Sequence, residues 1–529
     1  MIPQISPTTS QPANGTAPKF VQGMGLFSAT AMVMGSMIGS GIFIVPADMS
    51  RTLGSPALLI LAWLVTALMT IIGALSYGEL AAMMPRAGGQ YVYLREALGP
   101  IWGFLYGWTL FLVIQTGTIA AVGMAFAKFL GVFFPGVSDS RWLWHIGHVP
   151  AWHLGPMVLG NIQIGLNTAN LAAIAVITLL TLSNTRGVKL GAAVQNIFTS
   201  AKVIALLGIV AVGMVARNAT AIAANFGAGW HHFWINSGWN TRHAIQVGMG
   251  GPTAYVGLFT VVAVVQVGSL FSSDSWNNVT FTAGEIRDPR RNLPLSLAVG
   301  TSVVLLLYIA CNFVYLTVLP LRGDPTAATL VGRGVQFAAG DRVATAMMQS
   351  AFSGTGAKLM AAAILVSTFG CMNGLLLAGA RVYYAMSQDG LFFKSAGRLS
   401  KKTATPVSSL WMQWSWACLL CLSGSYSQLL DYVIFAVLVF YVLTIGGLFV
   451  LRRTRPDADR PYKAVGYPLL PALYIVLAVW ICGVLLRYKP QFTWPGLILV
   501  LLGVPVYALW TRPGRAGQMG LDSESQTAG

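Results

Sequence analysis

The chain has 529 residues, of which 55% are hydrophobic and only 9% charged, whereas soluble domains carry about a quarter charged residues. Its formal charge is +17, but the basic residues cluster between long apolar runs, so the charge does not mark a nucleic-acid surface. A soluble globular fold is excluded with it.

In chain order, residues 1–23 form a Pro/Ser/Thr/Gln-rich tail, read as disordered, with no cleavable signal peptide before the first apolar run. Twelve apolar runs follow, at about 24–46, 56–83, 101–134, 163–183, 188–216, 252–283, 294–320, 357–388, 406–424, 428–451, 466–487 and 494–512. Runs of 18 or more apolar residues predict transmembrane helices, and barrel strands would be shorter and alternating. The predicted fold class is an all-α polytopic membrane protein with 12 transmembrane helices. Basic clusters at Arg287, Arg290 and Arg291, at Lys394, Arg398, Lys401 and Lys402, and at Arg452, Arg453, Arg455, Arg460 and Lys463 follow the positive-inside rule. They place both termini in the cytoplasm and the chain in the cell (inner) membrane.

The first run contains "MVMGSMIGSGIFIVP", Met32 to Pro46, with Gly39, Ser40 and Gly41 consecutive at mid-span; the sixth is interrupted by "FSSDSW", Phe271 to Trp276. Paired interruptions at corresponding positions of two halves point to a transporter binding site built on inverted repeats. The expected organisation is a first repeat at 24–216, an outer loop at 217–251, a second repeat at 252–452, an accessory helix pair with its preceding basic loop at 453–512 and a tail at 513–529. Five helices per repeat invert the second copy. An isolated glycine-rich helix would read as a packing face, the reading given to Gly103 and Gly107.

A turn at membrane depth frees backbone groups that lipid cannot satisfy. The half-helix starting near Ile42 offers N–H groups and partial positive charge to a carboxylate, and the half ending near Met37 offers carbonyls to an ammonium group. With the same ends in the sixth helix, the simplest matching ligand is an α-amino acid. Glycine at 39 and 41 keeps side chains out of the ligand's way.

The stretches "GSMIGSGIFIVP", "SYGELAAMMPRAGGQYVYLREALGPIWGFLYGW", "SWNNVTFTAGEIRDPRRNLP", "NIFTSAKVIAL", "STFGCMNGLLLAGAR" and "LRRTRPDADRPYK" resemble the amino acid–polyamine–organocation superfamily, closest to its L-type amino acid transporter branch. The resemblance implies the 5+5 inverted-repeat fold of the bacterial leucine transporter, with helices 1 and 6 unwound at mid-membrane, and secondary transport of L-amino acids by alternating access. It places the carboxylate turn on Gly39, Ser40 and Gly41, ammonium-binding carbonyls on Met37 and Phe271, a further contact at Asp274, and a closing aromatic at Phe271. The candidate substrate site is thus Met37, Ile38, Gly39, Ser40, Gly41, Phe271, Ser272, Ser273 and Asp274.

Lys202 lies inside the fifth run, where an ionisable group is a functional hypothesis by default. The resemblance implies that it replaces a second sodium ion, with Ser367 and Thr368 as its further contact; a tie between helices one and five and a proton carrier both stay open. Sodium-independent exchange and proton symport stay open with them. Asp274 has three competing roles: capping the second half of the sixth helix, accepting from the substrate ammonium, or selecting a cationic amino acid or polyamine. A non-transporting amino acid sensor of the same fold is a further alternative.

No catalytic set, cofactor motif or metal site is expected. Cys418 and Cys421 form a lone CxxC and, like Cys311, Cys371 and Cys482, read as packing residues; the six histidines read as solvated outer-loop residues. Residues 135–162 lack the cysteine with which L-type transporters of animals join a single-span glycoprotein, so no disulfide-linked partner is expected and the chain is read as a functional monomer, with amino acid and lipid bilayer as its partners.

Overall fold

The computed structural model describes residues 22–511 apart from 151, 155–156, 160–161, 187, 249–250 and 424–425. The expected disordered tails lie outside the described residues, except for the first few positions before the first helix.

The first span is two helices, α1 (Leu26–Met37) and α2 (Gly41–Leu53). Gly54 ends α2 in the left-handed region at φ 57°, where glycine carries no Cβ penalty. Next come α3 (Pro56–Met83), capped by Ser55 with Pro56 at its first position, and the short α4 (Gln90–Leu98). The third span, Pro100–Leu130, is α5 (Pro100–Thr109), a π-helical turn at Leu110–Ile114 and α6 (Gln115–Leu130). Then come α7 (Thr168–Thr185), α8 (Val188–Val215), α9 (Ala219–Asn225), α10 (Leu258–Ser272) and the one-turn α11 (Asn278–Phe281). After these lie α12 (Pro289–Val318), α13 (Leu330–Arg333) and α14 (Val343–Gln388). The chain closes with α15 (Val407–Ser423), α16 (Tyr426–Thr454), α17 (Leu469–Tyr488) and α18 (Pro490–Trp510).

Ten helices among the described residues are long and apolar enough to cross a membrane, and this is a multi-pass helical membrane protein. At 1.5 Å per residue, the 28 residues of α3 exceed the roughly 30 Å of a hydrocarbon core. Two expected spans among the described residues have fewer than 18 helical residues, Leu258–Ser272 and Val407–Leu422, the first because its helix stops at an interruption.

Three boundaries differ from expectation. Residues 163–167 belong to a strand, and the helix starts at Thr168, where Asn167 caps it by accepting from the N–H of Asn170 at 2.7 Å. The eighth span starts at Val343 rather than 357, with non-helical torsions at Phe352 and Ser353. Antiparallel pairs reach from the segments read as outer loops into the starts of the runs 163–183 and 252–283 read as spans: β1 (Trp142–Val149) with β4 (Ile162–Asn167), β2 (Trp152–Leu154) with β3 (Met157–Leu159), and β5 (His243–Gln246) with β6 (Thr253–Val256). No charged residue occurs from 142 to 167, and apolar β-branched and aromatic residues there suit a pleated ribbon.

The core gathers around α1, which packs on α8, α12 and α14, while α2 lies against α10. That arrangement brings the two interruptions together.

Candidate functional site

A helix that stops at mid-bundle leaves its last carbonyls without intrahelical partners. At the end of α1 each has a donor. Gly35 accepts from Lys202 Nζ at 2.6 Å and Ser36 from the Cys371 thiol at 3.2 Å. Met37 accepts from the N–H of Gly39 at 2.8 Å and from the Tyr308 hydroxyl at 3.1 Å. Ser367 Oγ lies 3.2 Å from the Ile38 carbonyl and 3.3 Å from that of Gly39. The donors come from α8, α12 and α14. On the far side of the break, the N–H groups of Gly41 and Ile42 have no acceptor among the described residues. A buried helix N-terminus with open N–H groups is suited to an anion.

The glycines divide in role. A Cβ on Gly41 would sit 2.1 Å from Ser272 Oγ and 2.8 Å from the Ser272 Cα. The close approach of α2 and α10 is thus a second reason for glycine at 41, beside the expected clearance for a ligand. A Cβ on Gly39 would meet nothing nearer than Cys371 Sγ at 3.4 Å, an ordinary contact.

In the sixth span Phe271 and Ser272 are still helical, and the interruption runs from Ser273 to Asn277. Ser275 holds φ at 66°, uncommon for a residue with a Cβ. The Phe271 carbonyl accepts locally, from the N–H of Asp274 at 3.3 Å. Asp274 is not a helix cap: the cap position of α11 is Asn277, three residues on. Its Oδ1 instead accepts from the Tyr441 hydroxyl of α16 at 2.6 Å, so the turn through Ser275 aims it across the bundle.

Asp274 borders two cavities. One is lined also by Gln90, Tyr106, Gln115, Asn277 and Tyr441, together with Leu110 and Ile114 of the π turn. The other is lined by Thr70, Ser273, Trp276, Tyr441 and Tyr474. Ser273 Oγ is buried there without a partner among the described residues. Tyr77, Trp276 and Tyr441 form an aromatic wall, with centroids 4.8 Å apart for Tyr77 and Trp276 and 5.2 Å for Trp276 and Tyr441. None of residues 37–41 lines either cavity; in this conformation the first break is packed shut against α10.

Lys202 is 1% exposed, and its ammonium ties α8 to α1 through Gly35. Thr368 does not join it, because its hydroxyl donates to Ile364 and Leu365 of its own helix at 2.8 and 3.1 Å. Ser367 binds the break itself rather than the lysine. One of the six histidines departs from the solvated reading, since His243 is buried in β5. Cys418 and Cys421 are both buried, and no metal-ligating cluster occurs among the described residues.

Several buried polar groups escaped the sequence reading. Glu285 accepts from Arg381 Nε at 2.9 Å, both side chains nearly fully buried. Glu79, with its side chain 0% exposed, accepts from Arg452 Nη2 at 2.6 Å. Glu79 lies inside the apolar run 56–83, and that alone marks it; Glu285 lies just beyond the run 252–283 and carried no such mark. Tyr441, Tyr308 and Gln195 carried no such signal.

A helical bundle with two interrupted spans facing each other across buried polar groups defines a membrane permease. The amino acid permease family matches residues 24–507, and the chain belongs to that family. It is 28% identical over 490 residues to the b(0,+)-type amino acid transporter 1 of Mus musculus, covering 92% of this chain and 87% of the relative. It is also 28% identical over 505 residues to the large neutral amino acids transporter small subunit 2 of Homo sapiens, covering 95% and 83%.

Proposed function

We propose that the chain is a sodium-independent secondary transporter that moves L-amino acids across the cell membrane by alternating access. The observation that carries the reading is the asymmetry of the first break. Its carbonyl side is saturated by donors from three helices, while its N–H groups at Gly41 and Ile42 have no acceptor among the described residues and are left for a carboxylate once the packing against α10 loosens. Twelve spans in a 5+5 inverted repeat, 24–216 and 252–452, with α17 and α18 as an accessory pair and both termini cytoplasmic, complete the reading. Lys202 on the Gly35 carbonyl, with Ser367 beside it on Ile38 and Gly39, supplies donors where a cation would otherwise be needed, and Lys202 is the coupling group of this reading. The resemblance implies that substrate contacts come from Met37, Ile38, Gly39, Ser40, Gly41, Phe271, Ser272, Ser273 and Asp274.

Counterflow in liposomes tests this. Labelled amino acid accumulates against unlabelled amino acid inside, equally in sodium and in choline buffer. Binding without accumulation identifies a sensor, and accumulation that needs sodium overturns the role given to Lys202.

A second reading of the substrate is favoured by one observation: a buried carboxylate, Asp274, borders both cavities beside an aromatic wall. Carboxylate and aromatic faces together suit a cationic side chain, so arginine, lysine or a polyamine competes with neutral amino acids as cargo. The printed name of the human relative calls it a small subunit; with no cysteine in 135–162, this chain is proposed to work without a disulfide-linked partner.

A further inference from the structure

Three polar residues of α8, Gln195, Thr199 and Lys202, are spaced by four and three and so share one helix face. All three meet α1. Thr199 Oγ1 donates to the Ala31 carbonyl at 3.0 Å and Lys202 Nζ to that of Gly35 at 2.6 Å. A Cβ on Gly35 would lie 2.2 Å from Gln195 Nε2 and 2.3 Å from Thr199 Oγ1, so the bare glycine lets this row reach the α1 backbone. On the α14 side, a Cβ on Gly374 would lie 3.2 Å from Ser36 Oγ and 3.3 Å from either end of the Gln195 amide. Two glycines thus frame a narrow polar slot beside the Gly35 carbonyl that accepts from Lys202. Two of its polar atoms, Gln195 Nε2 and Ser36 Oγ, are buried without a partner among the described residues. Such atoms are costly unless ordered water satisfies them.

The slot has an exit in one direction. Gln195 and Gly374 also line a cavity with Ser28, Asn196, Glu285 and Arg381, at the end of the bundle where α1 begins. Asn196 Oδ1 is a further orphan there. In the other direction α8 continues from Lys202 as "VIALLGIVAVGMV", without a polar side chain, and Leu206 and Ile209 are buried.

We propose that Gln195 and Ser36 hold water that carries protons between Lys202 and the cavity at the start of α1, which the topology above makes the cytoplasmic side. This rests on Lys202 being the coupling group. The step breaks one N–H bond of the ammonium and forms one O–H bond on the adjacent water; the neutral amine stays against Gly35, and the proton leaves through the cavity. Few titratable groups surround Lys202. Neither α1 nor α7 carries any. α14 supplies the Cys371 thiol and, at the cavity, Arg381 paired with Glu285. On α12, Tyr308 and Tyr315 donate to Met37 and Ile42, and Cys311 is a buried thiol.

The test uses the full-length chain in liposomes sorted for one orientation, with pH set independently on each side. The probe is whichever of labelled leucine, alanine or arginine the wild type exchanges fastest. Wild-type exchange follows cytoplasmic pH, and Gln195→Leu weakens that response by about tenfold, the scale of one lost hydrogen-bonded link, while exchange at the optimum pH stays. Gly374→Ala, which keeps every polar group and only fills the slot, weakens it as well, and Gln195→Glu restores it. A wild-type response to outer pH alone, or unchanged responses in Gln195→Leu and Gly374→Ala, overturns the route. If the response instead survives Lys202→Met, the coupling role of Lys202 has failed, a result separate from failure of the route alone.

Discussion

The two interruptions solve the same backbone problem differently. In the first, side chains from α8, α12 and α14 reach in to satisfy the carbonyls at the end of α1, so the broken end is tied to three neighbours. In the second, the carbonyls of Ser269, Leu270 and Phe271 are satisfied by the next few N–H groups of the same segment, and the side chains reach out, Asp274 to Tyr441. A break held by its neighbours can move only if they let go. A break that holds itself leaves its side chains available to a ligand. The first is tied to the bundle around it, and the second mainly to its own segment.

Sharpening that contrast starts where the two breaks touch. Gly41→Ala drives a Cβ into the backbone of Ser272, and such overpacking costs about 1–3 kcal/mol; uptake is abolished and the melting temperature in detergent falls. Gly39→Ala, which meets only ordinary contacts, leaves the melting temperature close to wild type. Equal damage from both would remove the steric distinction between them.

Next in size, Lys202→Met strips a charged donor from the Gly35 carbonyl, a hydrogen bond of about 1.5–3 kcal/mol by type. Transport slows by one to two orders of magnitude on that scale, with the protein still folded by size-exclusion chromatography. Transport at the wild-type rate would show that the tie to α1 does no work in the cycle.

Asp274→Asn affects the second break alone. Uptake of arginine or lysine falls about tenfold or more, the range of a charge-assisted contact, while leucine uptake changes little. Equal loss of both cargoes would return Asp274 to a structural role. Tyr441→Phe, which removes only the hydroxyl facing Asp274, gives the smallest change, a shift in KM of a few-fold for about 1 kcal/mol, seen for the cationic cargo first.

Much of this was legible in the sequence because the interruptions are written in local composition. Consecutive Gly39, Ser40 and Gly41 inside an apolar run, and "SSDS" inside another, announce breaks wherever the chain folds. The partner atoms of those breaks were not legible, although the resemblance offered a tie between Lys202 and the first helix. Gly41 meets Ser272, and Lys202 meets Gly35, across long sequence separations that no spacing rule connects. Capping was one of three roles left open for Asp274, because Asp favours that place; the left-handed turn at Ser275 delays the helix to Asn278, where Asn277 takes the cap position, and sends the carboxylate elsewhere. The outer hairpins were missed because Trp142–Val149 and Ile162–Asn167 lack the Asn-Gly or Asp-Gly turn that marks a short hairpin, and they pair through a long connection instead.

Glu79 carries a consequence for the far end of the chain. Arg452 at the end of α16 contacts both of its oxygens, at 2.9 and 2.6 Å. The segment beyond wraps back so that Arg460 Nε lies 3.3 Å from it and the N–H of Ala464 donates at 2.7 Å. The connection leading to α17 is thereby riveted to α3. Cutting the chain after α16 would strand an acid in the interior with part of its escort gone, so the last two helices are no detachable appendix; the helices before them are finished only when that strap is in place.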